Sequence, residues 1–149
     1  MRVSRLFFFR GFFQLLLAFS ALVVSCASPP FGIDGPSVGF SVSGDGEPEL
    51  SFVFENAAGM PVRSFFVEFS LSDCDGVCAF YPLDSASASV ECDVPPHSGA
   101  IVSVPLSQFL SDFSGAPFSV DFVHVRKIEY DGGNVWRDPF GMGAWEAGF

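Results

Sequence analysis

Two histidines and four cysteines are the side chains of this 149-residue chain best suited to metal binding, nucleophilic attack or redox chemistry. His97 lies in a Pro- and Gly-containing loop and His124 in a strand-like stretch. As a metal pair they would need a further ligand, such as Cys92 or an acid. The serine-hydrolase, zinc-protease and phosphate-binding motifs are all missing from the sequence. We therefore predict no catalytic residues, no metal site and no cofactor.

The stretch Asp73-Cys74-Asp75-Gly76 has the opening pattern of a calcium-binding loop. A calcium loop also requires a third early oxygen ligand and a glutamate six residues after the glycine, and both are missing. The stretch is therefore predicted to be an acidic turn.

Cys26 stands at the point where an apolar segment ends. Three arginines lie within the first ten residues, and the chain from Gly11 to Val24 is apolar except for two residues. A basic start followed by a short apolar core is typical of a secretory signal peptide, whereas a membrane span needs about 20 apolar residues. Counted from Leu6 the apolar segment is longer, so an uncleaved anchor is the alternative.

The stretch Val23-Val24-Ser25-Cys26 resembles the lipobox of bacterial lipoprotein precursors. The resemblance implies cleavage before Cys26 and the attachment of several acyl chains, such as palmitate, to that residue. It also implies export and membrane anchoring in the bacterial cell envelope, on the periplasmic face or the cell surface. The predicted organisation is a signal peptide over 1–25, a lipidated tether over 26–36 and a folded domain over 37–149. The alternative is an ordinary signal peptide, with Cys26 a plain thiol.

The three cysteines after Cys26 allow one intramolecular disulfide, which an exported protein can form. If the chain doubles back between Cys78 and Cys92, these two thiols lie close together across a hairpin. The alternative pair is Cys74 with Cys92. The remaining thiol is then either buried or paired with another chain.

The chain from Cys26 onward is strongly acidic. It contains four basic residues and seventeen acidic ones, a net charge of −13. Such a surface repels phosphate backbones and anionic lipid headgroups. We therefore exclude nucleic acid as a partner, and we expect membrane attachment to depend on the lipid rather than on a basic face.

Alternating apolar and polar residues predict a series of short strands after the tether. The clearest alternation is Arg63 to Leu71, which we predict to be the central strand of one sheet. A helical spacing of apolar residues predicts one short turn of helix over Leu106 to Phe113. The predicted strands are 38–42, 50–55, 63–71, 77–81, 88–94, 100–104, 119–130 with a phase change near Arg126, and 135–137.

Seven to eight strands with regularly spaced turns predict an immunoglobulin-like antiparallel β-sandwich. The alternative is a small closed β-barrel. The stretch Leu50–Leu71 and the hairpin around Asp131-Gly132-Gly133-Asn134 resemble those of immunoglobulin-like domains in exported bacterial proteins. The resemblance implies the fold and names no functional family.

Four aromatic residues cluster near the C-terminus, namely Trp136, Phe140, Trp145 and Phe149. A sandwich has little core left to fill after its last strand, so these rings are predicted to form an exposed interaction surface. The alternative is that Trp136 belongs to the core and that residues 139–149 wrap one edge of the sandwich.

These observations predict a lipid-anchored binding or accessory module that contacts an envelope protein and is not an enzyme. The alternative is a lipid-anchored small-ligand carrier or enzyme with a pocket between the sheets. The many phenylalanines after Cys26 favour the first, because bulky rings fill the space that a ligand would need.

Overall fold

A computed structural model describes residues 28–40, 46–111, 113, 116–138 and 141–148. Cys26, Phe140 and Phe149 lie outside these residues, as does the predicted signal peptide over 1–25. No helix in the described ranges is long and apolar enough to cross a membrane. The strands are β1 (Phe31–Phe40), β2 (Pro48–Asn56), β3 (Val62–Ser72), β4 (Ala86–Val94), β5 (Ser98–Pro105), β6 (Ser119–Tyr130), β7 (Val135–Arg137) and β8 (Ala144–Glu146).

The strands form two separate antiparallel sheets. One sheet has the order β1-β2-β5, and the other has the order β4-β3-β6-β7, with β8 also paired to β6. The chain passes from one sheet to the other after β2, after β4 and after β5, as in immunoglobulin-like sandwiches. The predicted antiparallel β-sandwich is confirmed, and the alternative of a small closed barrel is wrong.

The core lies between the two sheets and follows the predicted alternation. On β3 the side chains of Phe65, Val67, Phe69 and Leu71 are all at most 1% exposed. β3 lies between β4 and β6, so its inward side chains are covered from both flanks and by the facing sheet. The prediction that this strand is central is therefore confirmed.

Three register shifts interrupt the pairing of β3 with β6, and two of them place an extra residue on β6. Phe66 lies opposite Lys127 while Val67 lies opposite Val125, which leaves Arg126 as an extra residue. This is the bulge predicted from the phase change. A second shift, at Asp121, was not predicted, because the apolar alternation on either side of it does not reveal it.

Three boundaries differ from the sequence prediction. β1 begins at Phe31, within the segment predicted as tether, because Phe31 is buried against the core. Residues 77–81 are turns rather than a strand, with only Cys78 bridged to Ser72. The predicted helical segment shortens to one 3₁₀ turn at Leu106–Gln108, in which Leu106 is fully buried.

The sandwich has two distinct ends. The N-terminal end contains the start of β1, the loop 57–61 and the β6–β7 turn, which are tied together by bonds from the Ala57 N–H to the Pro30 carbonyl and from the Asp131 N–H to the Pro61 carbonyl. The distal end contains the distal loop, residues 73–85, between β3 and β4. The eleven residues of β3 connect these ends, a length of about 36 Å.

Candidate functional site

The predicted disulfide is absent: the thiols of Cys74, Cys78 and Cys92 are all free. Cys78 bridges to Ser72 at the distal end of β3, whereas Cys92 follows the residue of β4 that pairs with Ser64. Ser64 and Ser72 are eight positions apart on β3, which corresponds to roughly 26 Å. A disulfide requires Cα atoms within about 7 Å. Both predicted pairings with Cys92 are therefore wrong, since Cys74 also lies at the distal end.

Cys92 is half-buried on β4, where it packs against the core. Burial raises the pKa of its thiol to about 11, and the flanking carboxylates of Glu91 and Asp93 act in the same direction. The thiolate is the reactive form of cysteine, so this side chain is chemically quiet at neutral pH. Cys92 serves packing rather than redox chemistry.

The two tryptophans of the predicted aromatic surface pack against the core instead. Trp136 pairs with the buried Ile128, and its ring lies 5.3 Å from that of Phe31 in an edge-to-face arrangement. Trp145 pairs with the buried Val123 and is also half-buried against the core. These two rings therefore seal the edge of the sandwich, as in the alternative reading of this segment. The placements of Phe140 and Phe149 fall outside the described residues.

The edge formed by β7 and β8 contains a buried histidine–aspartate hydrogen bond that the sequence did not indicate. Both strands pair with β6, at Lys127–Glu129 for β7 and at Phe122–His124 for β8. Asp138 is 7% exposed, and its Oδ2 atom lies 3.0 Å from Nε2 of the buried His124. The same oxygen accepts a 2.6 Å hydrogen bond from the Gly143 N–H. Asp138 thus links the His124 side chain on β6 to the backbone of Gly143, which immediately precedes β8.

Close packing against Phe31 fixes the position of Gly143. A Cβ atom on Gly143 would lie 2.5 Å from the Phe31 ring, so only glycine fits there. The Val125 N–H donates to the Gly143 carbonyl, and the Asp138 N–H donates to the Arg126 carbonyl. The arrangement holds an interrupted edge strand in place, which is a structural role.

The outer face of the five-stranded sheet carries one ion pair between β3 and β6 and one within β6. Arg126 donates to Glu68 at 2.7 Å, and the Ser85 hydroxyl donates to the other oxygen of Glu68 at 2.7 Å. The Ser85 hydrogen bond lowers the pKa of Glu68, with Arg126 acting in the same direction. Further along the face, the Lys127 ammonium donates to Glu129 and lowers its pKa. Glu129 is thus paired within its own strand, and Glu68 is bound by Arg126 of the neighbouring strand and by Ser85 of the distal loop.

The two histidines lie far apart in the fold. His97 is exposed in the β4–β5 turn at the N-terminal end, with a φ of 55°, and His124 is buried beside Glu68 on the middle of β6. The β4–β5 turn lies level with Val62 of β3, and His124 lies opposite Glu68 of the same strand. These two positions of β3 are six residues apart, which corresponds to about 20 Å. Within the described ranges, no group of three metal-ligating side chains comes together.

The distal loop has an ordered inner part and an exposed rim. The Asp73 carboxylate accepts hydrogen bonds from the N–H groups of Asp75 and Val77, which confirms the predicted acidic turn. Phe80 is 8% exposed and lies edge-to-face against Phe69 of the core. Just after Phe80 in the chain, the side chains of Tyr81 and Leu83 are 82% and 67% exposed. This rim is the candidate contact surface, and sequence analysis missed it because 77–81 were assigned to a strand.

No protein-family model and no curated protein matches the sequence. Two solved structures are similar, both at 8% identity. A hypothetical protein from Peptoclostridium difficile 630 gives a TM-score of 0.48, covering 74% of this chain and 87% of that one. The Northeast Structural Genomics Consortium target SoR45 gives a TM-score of 0.41, covering 80% of this chain and 89% of that one.

Proposed function

We propose that this chain is an exported, lipid-anchored binding module of the bacterial cell envelope that acts through protein contacts and not by catalysis. The observation that carries the proposal is the filling of the space between the sheets. Phe31, Phe54 and Phe65 form a continuous stack, with ring centroids 5.8 and 4.5 Å apart. A carrier or an enzyme with a pocket between the sheets would need that volume for its ligand, so the packing favours contacts through the surface.

A second phenylalanine cluster fills the distal half of the core. Phe69 lies in edge-to-face contact with Phe80 and with Phe109, at centroid distances of 5.6 and 5.5 Å. The Phe80 ring comes from the distal loop, so the same packing that fills the core also positions the loop. The packing of Phe80 on Phe69 therefore holds the distal loop against the core.

The proposed anchor would hold the N-terminal end of the sandwich near the bilayer. Only residues 27–30 lie between Cys26 and the first residue of β1. Four extended residues span at most about 14 Å, so the tether is shorter than the sequence prediction of 26–36. A short tether directs the distal end away from the membrane.

The anchor is tested by Cys26→Ser in the full chain, expressed in a bacterium that processes lipoproteins. We expect the wild-type protein in the membrane fraction and the variant in the soluble envelope fraction with an unchanged circular dichroism spectrum. Mass spectrometry of the wild-type N-terminus is expected to find acylated Cys26. Cys92→Ser is the matched control and is expected to stay in the membrane. Retention of the Cys26→Ser protein in the membrane would refute the lipid anchor.

A further inference from the structure

The basic residues of the mature chain are confined to one half of the fold. The sequence has no lysine or arginine between Arg63 and Arg126 or between Cys26 and Arg63. Arg63 opens β3 at the N-terminal end, and Arg126 and Lys127 lie in the half of β6 nearest that end, with Arg137 opposite Lys127 on β7. Arg126 is paired with Glu68, whose other oxygen accepts a hydrogen bond from Ser85 of the distal loop. The exposed aspartates of that loop, Asp75 and Asp84, have no lysine or arginine partner among the described residues.

The distal loop combines this negative field with exposed apolar side chains. Val77, Tyr81 and Leu83 are 54%, 82% and 67% exposed, and Asp75 and Asp84 are exposed beside them. A group of exposed apolar side chains with a polar rim is typical of an interaction surface, whereas single exposed apolar side chains are common on any protein surface.

The loop is also rigidly built, which reduces the entropy that binding would cost. The Ala79 N–H donates to the Leu71 carbonyl, and the Leu83 N–H donates to the Phe80 carbonyl. The Cys78 thiol lies within hydrogen-bonding distance of the Leu83 and Asp84 carbonyls, at 3.5 and 3.6 Å. Tyr81 and Leu83 are therefore presented on a fixed scaffold.

We propose that the distal loop docks a protein partner whose contact surface places lysine or arginine side chains around an apolar socket. The inference deepens the proposed function and rests on it, since it names the surface and the partner class of that binding module. Charge complementarity identifies the occupant: a second copy of this chain would bring a like-charged distal end, and an anionic membrane would be repelled. Tyr81 and Leu83 would enter the socket, and the neighbouring aspartates would pair with the cations.

Two other exposed apolar side chains, Ile101 and Phe66, lack this combination. Ile101 is 81% exposed on the outer face of β5, where it lies opposite Val53 of β2, and β5 itself contains no acidic residue. Phe66 is 40% exposed on the outer face of β3, where the ion pairs of Glu68 and Lys127 surround it with both signs of charge. Ile101 thus provides a control that matches Tyr81 in exposure.

The test is photo-cross-linking in cells, with p-benzoylphenylalanine placed at position 81 of the full-length chain and, as the control, at position 101. We expect one discrete cross-linked protein from position 81 and none from position 101. The cross-linked peptide of the partner is expected to carry a net positive charge. Binding of that purified partner should weaken about tenfold or more with Leu83→Ser and remain unchanged with Ile101→Ser.

The salt dependence supplies the second readout. Raising NaCl from about 0.1 M to about 1 M shortens the Debye length from roughly 10 Å to roughly 3 Å, so affinity is expected to fall, and to fall less in Asp75→Asn. Cross-linking to a second copy of this chain, to a neutral or acidic peptide, or to nothing at position 81 would overturn the inference. Fractionation of the same cells separates the two proposals, since an anchored chain that gives no cross-link contradicts only the docking site.

Discussion

Asn56 is the residue that fastens the loops of the N-terminal end to one another. Its side chain is 2% exposed, and its amide nitrogen lies 2.9–3.1 Å from the carbonyl oxygens of Met60, Val94 and Pro95. Its amide oxygen accepts a hydrogen bond from the Ala58 N–H. One side chain therefore satisfies backbone groups from two loops that belong to different connections between the sheets.

Asn56→Ala is expected to lower the free energy of unfolding by about 3 kcal/mol, because buried carbonyls and one N–H group would lose their partner. The measurement is urea denaturation followed by circular dichroism. Asn134→Ala is the control, since Asn134 is exposed in the β6–β7 turn and its side chain donates a hydrogen bond to the Met60 sulfur rather than to buried backbone groups. Equal losses in the two variants would contradict the role assigned to Asn56.

The sequence could not reveal this role. An asparagine before Ala-Ala-Gly suggests a turn residue with a positive φ, but Asn56 is the last residue of β2 and has no positive φ. Hydrogen bonds across 38 and 39 residues depend on the tertiary fold, which the local pattern does not contain. The β6–β7 turn is the opposite case, because Gly132 and Gly133, with φ of 85° and 84°, are a local signal that the fold retains.

At the scale of elements, alternation was a good guide where one face of a strand is buried and a poor one at the edges. β1 is an edge strand whose Gly35 and Pro36 resemble a tether, yet it pairs with β2 on both sides of a bulge after Asp34. Gly35 has a φ of 58°, so it permits the bulge. Bulges and prolines are common at edges, where they discourage pairing with other chains.

The interrupted edge of β7 and β8 depends on Asp138 more than on strand propensity, since each strand is only three residues long. Asp138→Ala is expected to lower the free energy of unfolding by about 2–3 kcal/mol, because the buried His124 ring and the Gly143 N–H lose their shared acceptor. Hydrogen exchange of the β8 amides is expected to accelerate while that of β3 is unchanged.

Asp131→Ala is the matched control for this edge. Asp131 pairs with Arg63 at 3.5 Å, but both side chains are more than half exposed. Surface ion pairs of this kind contribute at most about 1 kcal/mol. If the two aspartate variants lost the same stability, or if β8 exchange did not change in Asp138→Ala, the buried pair would not be what holds the edge.

For the whole molecule, the separation of charge along the long axis predicts an orientation on the membrane, given the proposed anchor at Cys26. The four basic residues after Cys26 lie at Arg63 on β3, at Arg126 and Lys127 on β6 and at Arg137 on β7, toward the tether. The exposed aspartates of the distal loop have no basic partner among the described residues. Anionic headgroups repel the distal half more strongly than the N-terminal half. The module is therefore expected to stand upright, with the distal loop facing away from the bilayer.

Quenching of fluorophores by labelled lipid measures this orientation on vesicles that carry the acylated protein. One label is attached at the exposed Cys74 in the distal loop, and the other at Asn134→Cys in the N-terminal turn, with Cys74→Ser in that second protein. We expect stronger quenching at position 134 than at position 74. The difference should shrink as NaCl is raised, because salt screens the repulsion that keeps the distal half away from the headgroups. Equal quenching at the two positions in low salt would mean that the domain lies flat or tumbles freely on its tether. In that case the charge separation would affect binding of the partner and not the orientation of the domain on the membrane.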